Sequence, residues 1–128
     1  MRIDKFIKIA IFFAVTAITL GALGSHALKD ILSESQSNSF ETGVRYQFFH
    51  AITLLILVLN YQSFNHHLRK SLNIMSIGIC FFSFSIYLLS TQKIIGISFS
   101  FLAPITPIGG LLLICSWIIL FFSIKKQA

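Results

Sequence analysis

Hydrophobic positions in this chain run in long blocks and show no short-period alternation. Four windows lack Asp, Glu, Lys and Arg: residues 9–28, 46–68, 71–92 and 94–124. Each can hold the roughly 20 residues that an α-helix needs to cross the hydrocarbon core of a bilayer. In lipid the backbone must satisfy its own N–H and C=O groups, so such windows read as helices whatever the β-propensity of their Ile and Phe. The pattern predicts an all-α polytopic membrane protein, a compact bundle of four transmembrane helices. They cover about residues 7–28, 36–61, 71–90 and 107–123 of a single transmembrane domain, 1–128.

Local signals refine the boundaries. Ser33 with Gln36 matches a capping box, which satisfies free N–H groups at a helix start. A helix from there to Tyr61 would be roughly 40 Å long at 1.5 Å per residue, longer than the membrane core. Its first turns then stand in the headgroups, where Glu41 and Arg45, spaced i, i+4, could pair. Thr91–Ser98 reads as a loop. Thr106 can cap the last helix, with Pro107 at its first position, where no N–H is needed. Phe99–Ile105, containing Pro104, becomes a loop or re-entrant turn. The first window has a rival reading as a signal peptide, with Arg2, Lys5 and Lys8 before an apolar run and small residues around Gly24–Ala27. Cleavage would leave three helices and put the two remaining basic clusters on opposite sides, so a retained helix is preferred.

Composition agrees with lipid. Of 128 residues, 55% are hydrophobic and 11% charged, against about 25% charged in soluble domains. The net charge of +6 lies in short clusters and makes no continuous basic face. That is the positive-inside bias of a membrane protein, and nucleic acid is not an expected partner. Arg2, Lys5, Lys8, Arg69, Lys70, Lys125 and Lys126 share one side; Lys29, Arg45 and Lys93 share the other. The imbalance puts both termini in the cytoplasm. Cys80 and Cys115 fall in apolar stretches without a CxxC and read as small apolar residues.

Helical spacing sorts the polar residues by face. Gly43, Tyr46, Gln47, His50 and Leu54 share one side of helix two, with Glu41 and Arg45 on the other. Asn73, Ser76, Cys80, Ser83, Tyr87 and Ser90 form a stripe on helix three. Thr106, Gly109, Gly110, Leu113 and Trp117 line up on helix four. Helix one carries Ala10, Ala14, Ala17, Gly21 and Ser25. Polar groups avoid hydrocarbon and small residues let helices approach, so these stripes should meet inside the bundle. Gly21, Gly43, Gly109 and Gly110 are the expected packing positions. Crossing order puts a candidate polar site of His26, Tyr46, Gln47, His50, Tyr87 and Thr106 in the outer half. His26 fits less well, being nearly opposite the small stripe. The same residues can equally serve as hydrogen-bonding glue between helices. No metal or cofactor is expected, since Glu41, the one carboxylate near His26 and His50, faces away. With Asp4, Asp30, Glu34 and Glu41 all near membrane surfaces, no catalytic constellation is suggested, and the chain does not read as an enzyme.

Three stretches carry a family likeness: Gly21 to Leu28; Phe40 to Gln47 with His50-Ala51; and Ile105 to Gly110 with Trp117. The chain resembles the uncharacterised small membrane-protein family that includes transmembrane protein 256, domain of unknown function family 423. Ser25 stands where the family pattern has Ala. The resemblance implies a multi-pass protein, in bacteria of the plasma (inner) membrane, and supplies no biochemical activity. It also adds weight to His26. The expectation is a structural or accessory protein in the lipid bilayer, assembling with itself or a membrane-protein partner. The alternatives are a small-solute or proton carrier or channel using the outer polar site, and a lipid-binding protein with a laterally open groove.

Overall fold

A computed structural model describes residues 1–126. Five α-helices follow in order: α1 (Ile3–Ser25), α2 (Glu34–Leu59), α3 (His67–Ile79), α4 (Ser85–Ile95) and α5 (Ile105–Ser123). α3 and α4 are joined without a break by a π-helical turn at Cys80–Phe84. Four segments are long and apolar enough to span a membrane: Ile3–Ser25, Glu34–Leu59, His67–Ile95 and Ser100–Ser123.

The helix ends show why the boundaries fall where they do. The capping box forms: Ser33 Oγ accepts from the Gln36 N–H at 3.3 Å, and Gln36 Oε1 accepts from the Ser33 N–H at 3.0 Å. α2 therefore starts at Glu34, and it ends at Leu59, short of the expected Tyr61. α1 runs Ile3–Ser25, not 7–28; the long stems of Lys5 and Lys8 let the first turns be helical while their charges reach water. The third span starts at His67 and continues to Ile95, so Thr91 to Ile95 are helix and not loop. It stops only at Gly96, whose φ of 77° is the left-handed cap that glycine supplies most readily. Thr106 does not cap the last helix. Pro104 holds the cap position of α5, which leaves Pro107 third in the helix, where its missing N–H is still one that has no intrahelical partner. Phe99–Ile105 contains a short 3-10 turn, Ser100–Leu102.

The start of α1 and the end of α5 lie at one end of the bundle, the terminal end, together with the α2–α3 connection. There the chain after α5 pairs with that connection. Asn65 N–H donates to Ser123 O at 2.7 Å, and Lys125 N–H donates to Ser63 O at 3.1 Å. These bonds, with Asn65 Nδ2 on Phe122 O, occupy carbonyls that a helix end leaves free. The main apolar core fills this half, with Phe6, Leu57, Val58, Leu68, Leu72, Met75 and Leu120 among its buried members. A smaller cluster of Leu32, Phe40 and Tyr87 closes the far end.

Small residues bring α1 to α2: Ala10 and Ala17 are buried, whereas Ser25 at the end of the stripe is exposed. On the third span the expected stripe holds only in part. Asn73 is exposed, and Ser71, Leu72, Met75 and Gly78 are buried in its place; Ser83 within the π turn and Tyr87 and Ser90 beyond it face inward as expected. A π turn holds one extra residue, so it shifts the buried face by about 100°. A stripe drawn on one regular helix misses that shift. The turn lies against Gly109. A methyl group there would collide with the backbone N of Phe82 and come within 2.7 Å of Phe81 C, so only glycine lets the two backbones touch. Gly110 is different, since a methyl would meet Phe82 side-chain atoms at an ordinary 3.7 Å. Gly78, which the spacing did not single out, admits the Leu113 side chain.

Candidate functional site

Three polar seams hold the inward-facing candidate residues, and a separate buried bond, Ser71 Oγ donating to Ser116 O at 2.8 Å, joins α3 to α5. The largest centres on Gln47, which is fully buried. Its Nε2 donates to Phe13 O at 2.9 Å and to Thr16 Oγ1 at 2.6 Å on α1. Its Oε1 accepts from Tyr87 OH on α4 at 2.8 Å. One side chain thus ties three helices, and both ends of its amide are satisfied. Gly43, one turn before, makes room for the Tyr87 ring, since a methyl there would lie 2.8 Å from Tyr87 Cε1. Ser83 Oγ donates to Gly43 O at 2.8 Å and closes the same seam.

His50 belongs to a second seam, against α5. Its Nδ1 lies 2.7 Å from Tyr46 O, and its Nε2 accepts from Trp117 Nε1–H at 3.1 Å. A carbonyl only accepts and an indole N–H only donates. Both bonds exist together only in the neutral imidazole with its proton on Nδ1. Tyr46 is half exposed and lays its ring over Phe82, centroids 4.9 Å apart; it packs at the rim and does not enter the interior. The third seam joins Ser85 and Thr106 at 2.7 Å. Ser85 Oγ also lies within hydrogen-bond distance of two carbonyls of the π turn, Phe81 O at 2.5 Å and Phe82 O at 3.0 Å.

The six candidate residues therefore do not form one site. Gln47 meets Tyr87, His50 meets Trp117, Thr106 meets Ser85, Tyr46 caps the rim and His26 is exposed just beyond α1. Nor do they all lie in the far half. Gln47 bonds the middle turns of α1, and His50 reaches Trp117 beyond the midpoint of α5. The reason is the overhang of α2: its first turns project past α1, so Gln47 is roughly 20 Å down its axis. Glu41 and Arg45 are both exposed, and no nitrogen–oxygen pair between them comes within 4.0 Å. Thr16, Ser85 and the Trp117–His50 bond were not anticipated. Thr16 lies one residue off the small stripe, Ser85 is brought in by the π turn, and the pairing of His50 with an indole has no sequence signal.

A lateral groove lies between α1 and α2 at the far end. It has a volume of about 560 Å³ and is bordered by Lys29, Glu41, Arg45, Ser25 and Ser37. Gly21, Val44 and Arg45 also line an adjoining trough of about 280 Å³, walled by Ala17, Ile18, Phe48 and Phe49. The first two stretches carrying the family likeness flank this groove.

Four membrane-length apolar helices, closed by seams of this kind and showing their large apolar side chains outward, define an integral multi-pass membrane protein. Residues 20–110 match the family described as protein of unknown function (DUF423). The chain belongs to that family. It is similar to a UPF0382 membrane protein of Staphylococcus epidermidis, 32% identical over 96% of this chain and 97% of that one. A UPF0382 membrane protein of Haemophilus influenzae is 32% identical over 97% and 96%. The UPF0382 membrane protein YwdK of Bacillus subtilis is 32% identical over 94% and 96%. No solved structure matches. The chain is thus a bacterial plasma-membrane protein in contact with the lipid bilayer, of unestablished biochemical function.

Proposed function

We propose that this protein is a structural or accessory membrane component and not an enzyme, acting by association with itself or with another membrane protein. The observation that carries this reading is the closed Gln47 seam, whose donors and acceptor are used up by Phe13, Thr16 and Tyr87. A carrier needs polar groups free to meet a solute in a wet cavity. Here the buried polar groups meet each other, and among the described residues none of their side-chain atoms lacks a partner. Against catalysis, Asp4, Asp30, Glu34 and Glu41 are all exposed, away from His50 and the seams. The Lys and Arg distribution supports both termini in the cytoplasm, which turns the groove end outward.

Reconstitution tests the reading. Proteoliposomes should show no proton or small-solute flux above empty vesicles, and cross-linking in native membranes should give a discrete larger species. Flux above background that is lost in Gln47→Ala would overturn it, as would a monomer at every cross-linker concentration. Reporter fusions at the two chain ends test the orientation; opposite signals would refute it.

A further inference from the structure

The α1–α2 groove changes character along its length. Its mouth carries Lys29, Arg45 and Glu41, all exposed and close to the far end of α1. Below Arg45 the wall becomes carbon: Ala17, Ile18, Phe48 and Phe49. A polar, net-positive mouth above an apolar trough that opens sideways is the outline of a phospholipid, headgroup above and acyl chain below. The mouth lies at headgroup depth. Gly24 packs on Phe40 and Gly21 on Val44, so Arg45 is only about one turn below the end of α1. From there a guanidinium on its three-carbon stem reaches the interface.

Electrostatics decides the headgroup. An arginine on the lipid side of a span costs free energy unless an anion meets it. No carboxylate does so here, because Glu41 stands apart from it. Guanidinium matches phosphate with paired N–H donors. Lys29 borders the same mouth and adds a second cation. Two cations and one carboxylate leave the mouth at net +1. Glu41 can accept from a headgroup hydroxyl, and it disfavours a second negative charge.

We infer that the groove between α1 and α2 holds one singly anionic glycerophospholipid, its phosphate at Arg45 and Lys29 and one acyl chain against Ile18, Phe48 and Phe49. The site depends neither on the accessory role nor on the orientation, which decides only the leaflet it opens to. The carrier of selectivity is the phosphate with its charge; the acyl chain supplies the rest of the contact.

Native mass spectrometry of the detergent-purified protein, titrated with phosphatidylglycerol or phosphatidylcholine, reads the site directly. The wild type should retain one phosphatidylglycerol in preference to phosphatidylcholine. The double variant Lys29→Gln, Arg45→Gln should weaken that retention about thirtyfold, as expected for removing two interfacial cations. Lys5→Gln with Lys8→Gln, at the opposite end, should leave it unchanged. Equal retention by the groove variant, or equal loss in the Lys5/Lys8 variant, would overturn the site. So would displacement of the lipid by inorganic phosphate alone at equal concentration, because the trough would then contribute nothing. Should the double variant fail to fold, the wild type in nanodiscs with phosphatidylglycerol bearing a photoreactive acyl chain gives the answer. Label should concentrate on Ile18 and on Phe48–Phe49; label spread evenly over all four spans would refute the proposal.

Discussion

The two halves of the bundle are held together differently. At the terminal end, apolar side chains interlock in one cluster, backbone hydrogen bonds join residues 63–65 to residues 123–125, and one buried side-chain bond, Ser71 Oγ to Ser116 O, joins α3 to α5. At the far end the buried apolar cluster has three members, and from mid-bundle to that end side-chain hydrogen bonds among Gln47, Tyr87, Thr16, Ser83, Ser85 and Thr106 connect the helices. Lipid tails are as apolar as leucine, so an apolar seam in a membrane gains from contact and close fit and very little from leaving its surroundings. Such a seam is strong where the fit is dense. Where the helices diverge, discrete polar bonds must fix their register, and space remains between them. The groove lies in that looser half.

Substitutions can break this contrast. The largest effect is expected at the joint between the halves: Gly109→Ala pushes α5 off the π turn and should cost about 3 kcal/mol, as overpacking does. Gly110→Ala, one residue on, should change stability by less than about 0.5 kcal/mol. Unfolding titrations in mixed micelles would separate them, and equal effects would dismiss the backbone contact at Gly109. Next comes Leu72→Ala in the terminal half, where a fully buried side chain leaves a cavity costing roughly 2 kcal/mol or more. Gln47→Leu, at mid-bundle where the side-chain hydrogen bonds begin, should cost less, about 1 kcal/mol, mainly from the buried Tyr87 hydroxyl left without an acceptor. A double-mutant cycle with Tyr87→Phe should return a coupling near 0.6 kcal/mol, typical of interhelical hydrogen bonds. If Gln47→Leu proved costlier than Leu72→Ala, the assignment of forces to halves would be reversed.

The number of spans, the capping box at Ser33, the small-residue face of α1 and the inward direction of Gln47 were all legible in the sequence, because charge gaps and helical period determine them directly. The register of the third span was not. Its π turn lies against α5 at Gly109, a tertiary contact, and no local propensity in Cys80–Phe84 announces it. Depth was misread for a related reason: the order of crossing ranks residues along each helix, yet the overhang of α2 appears only once Gly24 is seen on Phe40. The candidate polar residues were recognised as inward or peripheral more reliably than they were grouped. Grouping needs partners, and Gln47 and His50, three residues apart on one broad face, turn to different neighbours.

The smallest predicted effect tests that division. Trp117→Phe retains a ring against α2 and removes the one donor to His50 Nε2. Because Trp117 is itself half exposed, the stability loss should be only about 0.5 kcal/mol, near the membrane average for a hydrogen bond. Nitrogen-15 NMR of the imidazole is the sharper measurement. In the wild type the Nδ1–H tautomer is expected, held by Tyr46 O. The substitution should move the Nε2 resonance while Nδ1 stays protonated. Tyr46→Phe should move neither nitrogen, since it is the Tyr46 carbonyl that holds Nδ1 and phenylalanine keeps the ring that packs on Phe82 and stacks beside His50. Signals from Gln47 and Tyr87 should also be undisturbed by Trp117→Phe, because no hydrogen bond links the two seams among the described residues. A shift of the Tyr87 hydroxyl with that substitution would mean the seams act as one network, and a single polar site would again have to be considered.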